Sequence, residues 1–383
     1  MFGQFQGWFD NRHEYAREWK ARTGGKVLGY FCTYVPEEIL YAAHVLPVRI
    51  MGSHEPLELT EPYIFGMFCP FCRDCLSQGL KGRYDYLDGV MISQSCLHIR
   101  QTFNAWRKHL PREFNYYLYM PNNVQTRAAK PYLAGELSTF KQAVEEWVGH
   151  EITDSDLDRG IQIVNRNRQL MRDIYETRKE DRPPLTGLEA MYMVVSSQMT
   201  DKQEHSARLR PILDKLPGRF GGRETGERLM ILGSEDDDTE FIDMVESLNA
   251  TFVIDDHCTG SRYFWNQVEP IDSFGGDRLM AIAARYVDRS PCPSKDWPAR
   301  NRFPHIMSLA EDYRVDGVIL VQQKFCDPHE LDIPPLSWAF KEKGMKTLFL
   351  EFDVTVPIGQ FRTRVEAFLE MIREEELFDD DLF

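Results

Sequence analysis

The residues Asp88-Gly-Val-Met-Ile-Ser-Gln94 recur, with conservative changes, as Asp316-Gly-Val-Ile-Leu-Val-Gln322. An apolar run of this length introduced by Asp-Gly suits an interior strand of a parallel sheet, where both faces are covered. Two such strands, far apart in a chain of 383 residues, predict two sheets, because one typical domain core does not take up so long a chain. Each copy is soon followed by a cysteine: Cys96 lies eight residues beyond Asp88, and Cys326 ten beyond Asp316. Loops at the carboxyl ends of parallel strands face a common crevice, so both cysteines are candidates for a functional edge.

Other short apolar runs fill in the two sheets. Lys26–Phe31, Pro47–Met51, Gly89–Ile92 and Tyr116–Met120 read as strands of the first, with Pro36-Glu37-Glu38 opening a helix after the first of them. Arg228–Gly233, Thr251–Ile254, Gly317–Val321 and Thr347–Glu351 read as strands of the second. Between them Leu133, Leu137, Phe140, Val144 and Trp147 share one helical face, and Thr153 with Asp156 has the spacing of a capping box at the start of a second long helix. The fold class is α/β: two Rossmann-like parallel-sheet domains, residues 1–130 and 226–383, with a helical segment over 131–225. Phe361, Val365, Phe368 and Ile372 give the last helix one apolar face, and Glu374–Asp381 beyond it is an acidic, solvated end. Four prolines within 290–304 predict an irregular loop there, a candidate lid.

A hydrophobic fraction of 43%, with 24 Phe, 16 Tyr and 7 Trp, supplies enough core for a globular protein. The net charge of −15 argues against a nucleic-acid binder, since phosphate binding draws on concentrated Lys and Arg. No run approaches the ~18 apolar residues of a membrane helix, and the first ten residues lack a basic, then apolar, signal pattern, so a cytoplasmic location with no membrane partner is expected. In that compartment the eight cysteines are not expected to form structural disulfides, which makes metal or redox duty the question.

Three thiolates from separate loops can hold a 4Fe–4S cube with one iron open, whereas four local thiolates complete its coordination. Cys69-Pro-Phe-Cys72-Arg-Asp-Cys75 has the spacing that begins a ferredoxin run, yet Gly79 stands where the fourth cysteine should be. A zinc site on Cys69, Cys72 and Cys75, completed by Cys96 or His98, is a second reading. Reduced thiols packed as small hydrophobes is a third, and it suits Cys32, Cys258 and Cys292 best.

Several short motifs, in order, carry a resemblance: Tyr34-Val-Pro-Glu-Glu38, Pro47-Val-Arg49, Cys69 with Arg73, and Tyr84-Asp-Tyr-Leu-Asp-Gly89. They continue through Pro184-Leu-Thr-Gly187, Asp256-His-Cys-Thr-Gly-Ser-Arg262, Lys324-Phe-Cys-Asp-Pro328 and Gly359–Phe368. Nearly the whole chain thus resembles the 2-hydroxyacyl-CoA dehydratase and benzoyl-CoA reductase family. The resemblance implies one 4Fe–4S cluster on Cys69, Cys96 and Cys326 at the inter-domain cleft. It departs from the family pattern at Cys96-Leu97-His98, where Asp often follows the cysteine, and in adding Cys72 and Cys75, which leaves the fourth ligand open.

Length, Gly7-Trp-Phe-Asp10 and the cysteines at 69–75 look most like the smaller, gamma or C, subunit of ATP-dependent benzoyl-CoA reductase. The resemblance then implies an oxidoreductase subunit in a heterotetramer of anaerobic aromatic degradation. Its partners are a homologous cluster-bearing subunit, two ATP-hydrolysing activator-type subunits, ferredoxin acting through the activator, and an aromatic acyl-CoA substrate. The chain itself has no Gly-x-x-x-x-Gly-Lys-[Ser/Thr] loop for ATP. Two other readings are a radical 2-hydroxyacyl-CoA dehydratase subunit and a non-catalytic electron relay. Candidates for proton delivery are Cys32, Tyr34, Glu37 and Glu38 after the first strand, and Asp255, Asp256 and His257 in the second half. His98 is a candidate donor beside the cluster, and the run Arg208, Arg210, Lys215, Arg219, Arg223 and Arg228 a candidate for coenzyme A phosphates.

Overall fold

The computed structural model describes residues 1–219 and 224–379. Helices α1 (Gly3–Asp10) and α2 (Arg12–Thr23) lead into β1 (Val27–Tyr30), α3 (Glu37–Ala42), β2 (Leu46–Arg49), α4 (Pro70–Leu80), β3 (Gly89–Ser93), α5 (Leu97–His109) and β4 (Phe114–Leu118). The helices α6 (Ala129–Val148), α7 (Asp154–Glu176), α8 (Gly187–Ser197) and α9 (Lys202–Leu213) follow. The second series runs β5 (Glu227–Gly233), α10 (Thr239–Glu246), β6 (Ala250–Asp256), α11 (Arg278–Asp288), α12 (Arg302–Asp312), β7 (Gly317–Gln323), α13 (Asp327–Glu342), β8 (Lys346–Phe352) and α14 (Ile358–Asp379). All eight expected strands are present; β4 begins two residues before the expected Tyr116.

Both sheets are four-stranded and parallel, in the orders β2-β1-β3-β4 and β6-β5-β7-β8. The repeated motif therefore supplies the corresponding strand of each sheet, β3 and β7. Its aspartate has one job in both places. The Asp88 carboxylate accepts from Val27 N–H at 2.9 Å at the start of β1, and the Asp316 carboxylate accepts from Arg228 N–H at 2.7 Å at the start of β5. The glycine behind it allows close packing: a Cβ at Gly317 would lie 2.6 Å from Cδ1 of Ile372, and one at Gly89 3.0 Å from Cβ of Phe114.

The predicted helix faces are the buried ones. Leu133, Leu137, Phe140 and Val144 of α6 pack on the first sheet, and Trp147 stacks on Phe114. Full burial of side chains of this size stabilises by about 1.5–3 kcal/mol each. Thr153 and Asp156 form the expected capping box on α7, and Thr186 with Glu189 forms another on α8, so the Pro-Leu-Thr-Gly motif is a helix cap. Phe361, Val365, Phe368 and Ile372 of α14 cover the second sheet. The rest of the expected acidic tail beyond Asp379 lies outside the described residues.

The ends of the chain order cross between the two halves. Phe2 with Phe5 and Trp8 of α1 join the core of the second half, while Ala281, Ile282 and Tyr286 of α11 join that of the first. Buried ion pairs reinforce the junction: Arg168 binds Glu38 at 2.6 Å, and Lys202 binds Glu37 at 3.3 Å, with Tyr263 donating to Glu37 at 2.7 Å. The segment expected as a lid is tied down at several points in this structure. Within it the Asp296 carboxylate accepts from the N–H groups of Asn301 and Arg302, capping α12, and the buried Lys295 donates to Pro121 O. No helix among the described residues is long and apolar enough to cross a membrane.

Candidate functional site

The carboxyl ends of both sheets open onto one shared cavity. The loop after β1 contributes Phe31, Cys32 and Tyr34, that after β3 Ser95 and Cys96, that after β5 Ser234 and Glu235, that after β6 Cys258, and that after β7 Cys326. Cys69, Cys72 and Cys292 also line it. Crevices of this kind are where open α/β sheets bind ligands.

All three predicted cysteines, 69, 96 and 326, are therefore brought to one place. Their local structure shares a device: Cys69 is the N-cap of α4, Cys96 of α5 and Cys326 of α13. All three line the cavity, Cys326 Sγ also lying 3.3 Å from His329 Nδ1, while three helix N-termini direct partial positive charge at them. The thiols act on one another. Burial pushes Cys96 and Cys326 well above the ordinary thiol range; Cys69 raises both further, and Cys96 also raises Cys326. A guest that takes thiolates and spreads their charge would relieve this cost.

The other thiols divide. Cys72 is buried in the cavity wall and raised first by burial, then by Cys69. Cys75 is fully buried, its Sγ 3.5 Å from Ile50 O, and does not line the cavity. Among the described residues no three or more His, Cys, Asp or Glu side chains are arranged to hold a single metal ion. Cys32, Cys258 and Cys292, expected as packed thiols, border the cavity and are only half-buried. His98 does not donate into the cavity from Nδ1; that atom accepts from Cys69 N–H at 3.0 Å and ties the Cys69 loop to α5.

Most of the expected proton donors are structural. Glu37 and Glu38 are held by Lys202 and Arg168, away from the cavity. Asp255 accepts from Tyr175 Oη at 2.5 Å, Asp256 binds Arg262 at 2.9 Å and Arg302 at 3.2 Å, and His257 Nδ1 pairs with Thr259 Oγ1 at 2.9 Å. Tyr34 lines the cavity but its hydroxyl accepts from Cys292 N–H. The carboxylate that does line it, Glu235, carries no sequence motif that separates it from the acidic run 235–238. One oxygen, Oε2, takes Arg49 at 3.0 Å, and the other, Oε1, is buried with no partner. Burial pushes this carboxyl up to about 7 against the pull of Arg49, so near neutrality it holds a proton on part of the molecules. Arg49 also donates to Gln198 and Cys258 O, clamping the end of β2 to loops of the second half.

In the run expected to meet phosphates, two members are engaged within the protein and Arg210 pairs with Asp214 at 3.6 Å. Arg219 is bound by both oxygens of Glu189, Arg228 donates to the carbonyls of Tyr313, Arg178 and Glu180, and Arg223 lies outside the described residues.

A family model described as 2-hydroxyglutaryl-CoA dehydratase, D-component, matches residues 32–372, a span that takes in every cavity loop. The chain belongs to that family. Its relatives are subunits of enzymes acting on coenzyme A thioesters, all at modest identity. The (R)-phenyllactyl-CoA dehydratase beta subunit of Clostridium sporogenes is 28% identical over 376 residues, covering 97% of this chain and 98% of that one. The C subunit of benzoyl-CoA reductase from Thauera aromatica is 26% identical over 354 residues, covering 91% and 90%. The (R)-2-hydroxyglutaryl-CoA dehydratase beta subunit of Acidaminococcus fermentans is 26% identical over 365 residues, covering 91% and 93%. These identities do not separate reductase from dehydratase.

Proposed function

We propose that this chain is the smaller cluster-bearing subunit of an ATP-dependent reductase of the benzoyl-CoA type, holding a 4Fe–4S cluster on Cys69, Cys96 and Cys326. The observation that carries this reading is the meeting of those three thiols, from three separate helix N-termini, at one cavity. The donor set suits such a guest: thiolates on separate loops, spread round a volume instead of gathered on a point, with positive helix ends to offset a cluster's negative charge.

When bound, the cluster supplies low-potential one-electron chemistry. The chain's own residues would do the rest. Phe31, Phe71, Ile99 and Pro328 exclude water, which strengthens every electrostatic interaction inside. His98 fixes the Cys69 loop, and Arg49 orients Glu235 so that Oε1 holds a proton at the cavity wall. Adding an electron to an aromatic ring forfeits its aromaticity, so a dry site with a proton at hand is what that reaction requires. In this reading a homologous cluster-bearing subunit, a pair of ATP-hydrolysing subunits and ferredoxin complete a cytoplasmic complex that takes an aromatic acyl-CoA.

A second reading, a radical dehydratase subunit, is favoured by the printed name of the phenyllactyl-CoA relative. Both names carry an aromatic acyl group, as the Phe31, Tyr34 and Phe71 lining would suit. The assembled complex, supplied without oxygen with reductant, ATP and either benzoyl-CoA or (R)-phenyllactyl-CoA, separates them. Ring reduction in step with ATP hydrolysis is expected; dehydration with only catalytic electron input would replace the first reading by the second. Cys326→Ala is expected to lower iron by about four per chain, a whole cluster's complement.

A further inference from the structure

We propose that the pocket between the start of α6 and the segment that follows α11 binds the phosphate groups of a nucleotide, whose base rests against Trp265. This pocket shares no lining residue with the cysteine-lined cavity.

Three cations line it against one carboxylate: Arg127, Lys130 and Arg289, with Asp288. Burial lowers the fourth basic group there, His305, so that it adds no charge near neutrality. In a chain of net charge −15, a concave place with excess positive charge is set up to attract an anion.

The cations are available for different reasons. Arg127 is exposed and makes no ion pair among the described residues. Lys130 reaches Asp288 at 2.6 Å, but the two side chains are 40% and 57% exposed, so water weakens the pair and Lys130 can be shared. Arg289 is 2% exposed and donates to the carbonyls of Thr33 and Arg262 and to no carboxylate among the described residues. Its Nε, and Oγ of the adjacent Ser290, are buried with no partner. A buried cation without an anion is costly. Arg289 is the C-cap of α11, but a helix end supplies roughly half a negative charge, which leaves the rest unmet.

The backbone makes a second, independent contribution. The long helix α6 begins at this pocket without a side-chain cap and with no acidic residue in its first turn, whereas α7 and α8 each close theirs with a capping box. Ala129 N–H goes to Thr126 O and Pro131 has none, so the amide of Lys130 is left to accept a guest's oxygen. Such a helix start suits phosphate. The indole of Trp265 supplies an aromatic wall, braced by Arg172 at 5.1 Å from its ring centre and by His305 at its edge. Every nucleotide base has a flat face to lay on such a ring.

Two sources carry this chemistry, the nucleotide end of a coenzyme A thioester and a free nucleotide. The pocket adjoins the cavity through Arg289, which lies over the ring of Tyr34 in the cavity wall. Only the thioester source rests on the proposed function.

The test is calorimetric titration of the full-length chain with inorganic phosphate, ADP and desulfo-coenzyme A, which lacks the thiol that would bind iron. At least one nucleotide is expected to bind, less tightly as salt rises, and to be weakened about tenfold or more in Arg127→Gln/Lys130→Gln. Trp265→Leu should weaken the nucleotides and leave phosphate unchanged. Desulfo-coenzyme A binding more tightly than ADP assigns the site to the thioester, and ADP binding as tightly or more so assigns it to a free nucleotide; either supports the site. No binding by any of the three, binding of phosphate alone, or nucleotide binding at full strength in the double variant overturns it. Binding is read without turnover, so a chain that proves not to be a reductase subunit still tests the pocket. Where a variant does not fold, crystals of the unaltered protein soaked with ADP and with desulfo-coenzyme A decide: a nucleotide on Trp265 supports the proposal, and its absence from the pocket in both soaks ends it.

Discussion

The backbone N–H of Cys69 donates to Nδ1 of His98 at 3.0 Å. A backbone amide can only donate, so Nδ1 is the unprotonated nitrogen of that ring, and the bond joins the first turn of α5 to the N-cap of α4. One histidine thereby sets the spacing of two proposed ligands, Cys69 and Cys96.

Replacing His98 by Ala removes the acceptor and frees the Cys69 loop, at a cost of about 0.5–1.5 kcal/mol to the fold. The larger effect is expected on the proposed cluster. Iron should be lost to a chelator several-fold faster than from the wild type, and Asn, which can offer an oxygen to the same amide, should restore part of the difference. Equal rates of iron loss in all three proteins would leave His98 without a positioning role.

Cys72 and Cys75, equivalent in the sequence, part company in the structure. Cys75 sits against Ile50 O outside the cavity, so Cys75→Ala should keep its full iron content and lose about 1 kcal/mol of stability to the missing sulfur. Cys72 lines the cavity beside Cys69. If it supplies a fourth thiolate, Cys72→Ala keeps the iron but changes the cluster's electron paramagnetic resonance spectrum; an unchanged spectrum leaves one iron open to substrate.

Periodicity carries the parts of this fold that repeat. The α6 and α14 faces and all eight strands were legible because burial on one or both faces writes itself into 3.6-residue or continuous apolar patterns. The start of β4 was misplaced because Phe114-Asn-Tyr-Tyr-Leu118 interrupts the apolar run with Asn115. Of the three proposed ligand cysteines, Cys96 and Cys326 were marked by the repeated strand motif and Cys69 by the family motifs. Their shared role as helix N-caps was not, since Cys is not an expected capping residue. Cys32, Cys258 and Cys292 looked like core thiols because nothing local distinguishes a cysteine beside a cavity from one in packing. Glu37, Glu38 and Asp256 looked available because their partners, Lys202, Arg168 and Arg302, lie 46 to 165 residues away in sequence. Likewise Arg219 and Arg228 of the basic run are taken up by Glu189 and by backbone carbonyls.

The repeated aspartates make a matched pair for a stability test. Asp316→Ala strips the acceptor from Arg228 N–H at the start of β5, and Asp88→Ala does the same to Val27 N–H at the start of β1 while also removing the Lys20 ion pair. Each should cost about 1–3 kcal/mol, read as a lower urea midpoint of the apo chain. Gly317→Ala should cost about 1 kcal/mol by a different route, since the new Cβ meets the ends of the Ile372 and Phe368 side chains, which must re-pack. A Gly317→Ala protein as stable as the wild type would mean that the Ile372 and Phe368 side chains re-pack at no cost.

Glu235 gives the pH dependence a sign. Its carboxyl titrates near 4.5 when exposed and at about 7 in the fold, raised by burial despite Arg49. Between those values the folded state keeps the proton and the unfolded state has released it, so this group lowers stability as pH rises through the window. The full penalty, on the order of 3 kcal/mol, is present above about pH 7 and absent below about pH 4.5. Glu235→Gln keeps the shape and cannot ionise, so its urea midpoint should change less between pH 5 and 8 than that of the wild type. Identical slopes would place the carboxyl's titration outside this range. In the assembled enzyme the same variant lacks the proton that Oε1 holds at the cavity wall, and kcat should fall by ~10²–10⁴-fold with KM little changed, as expected of a group that acts on the reacting atoms and not on binding.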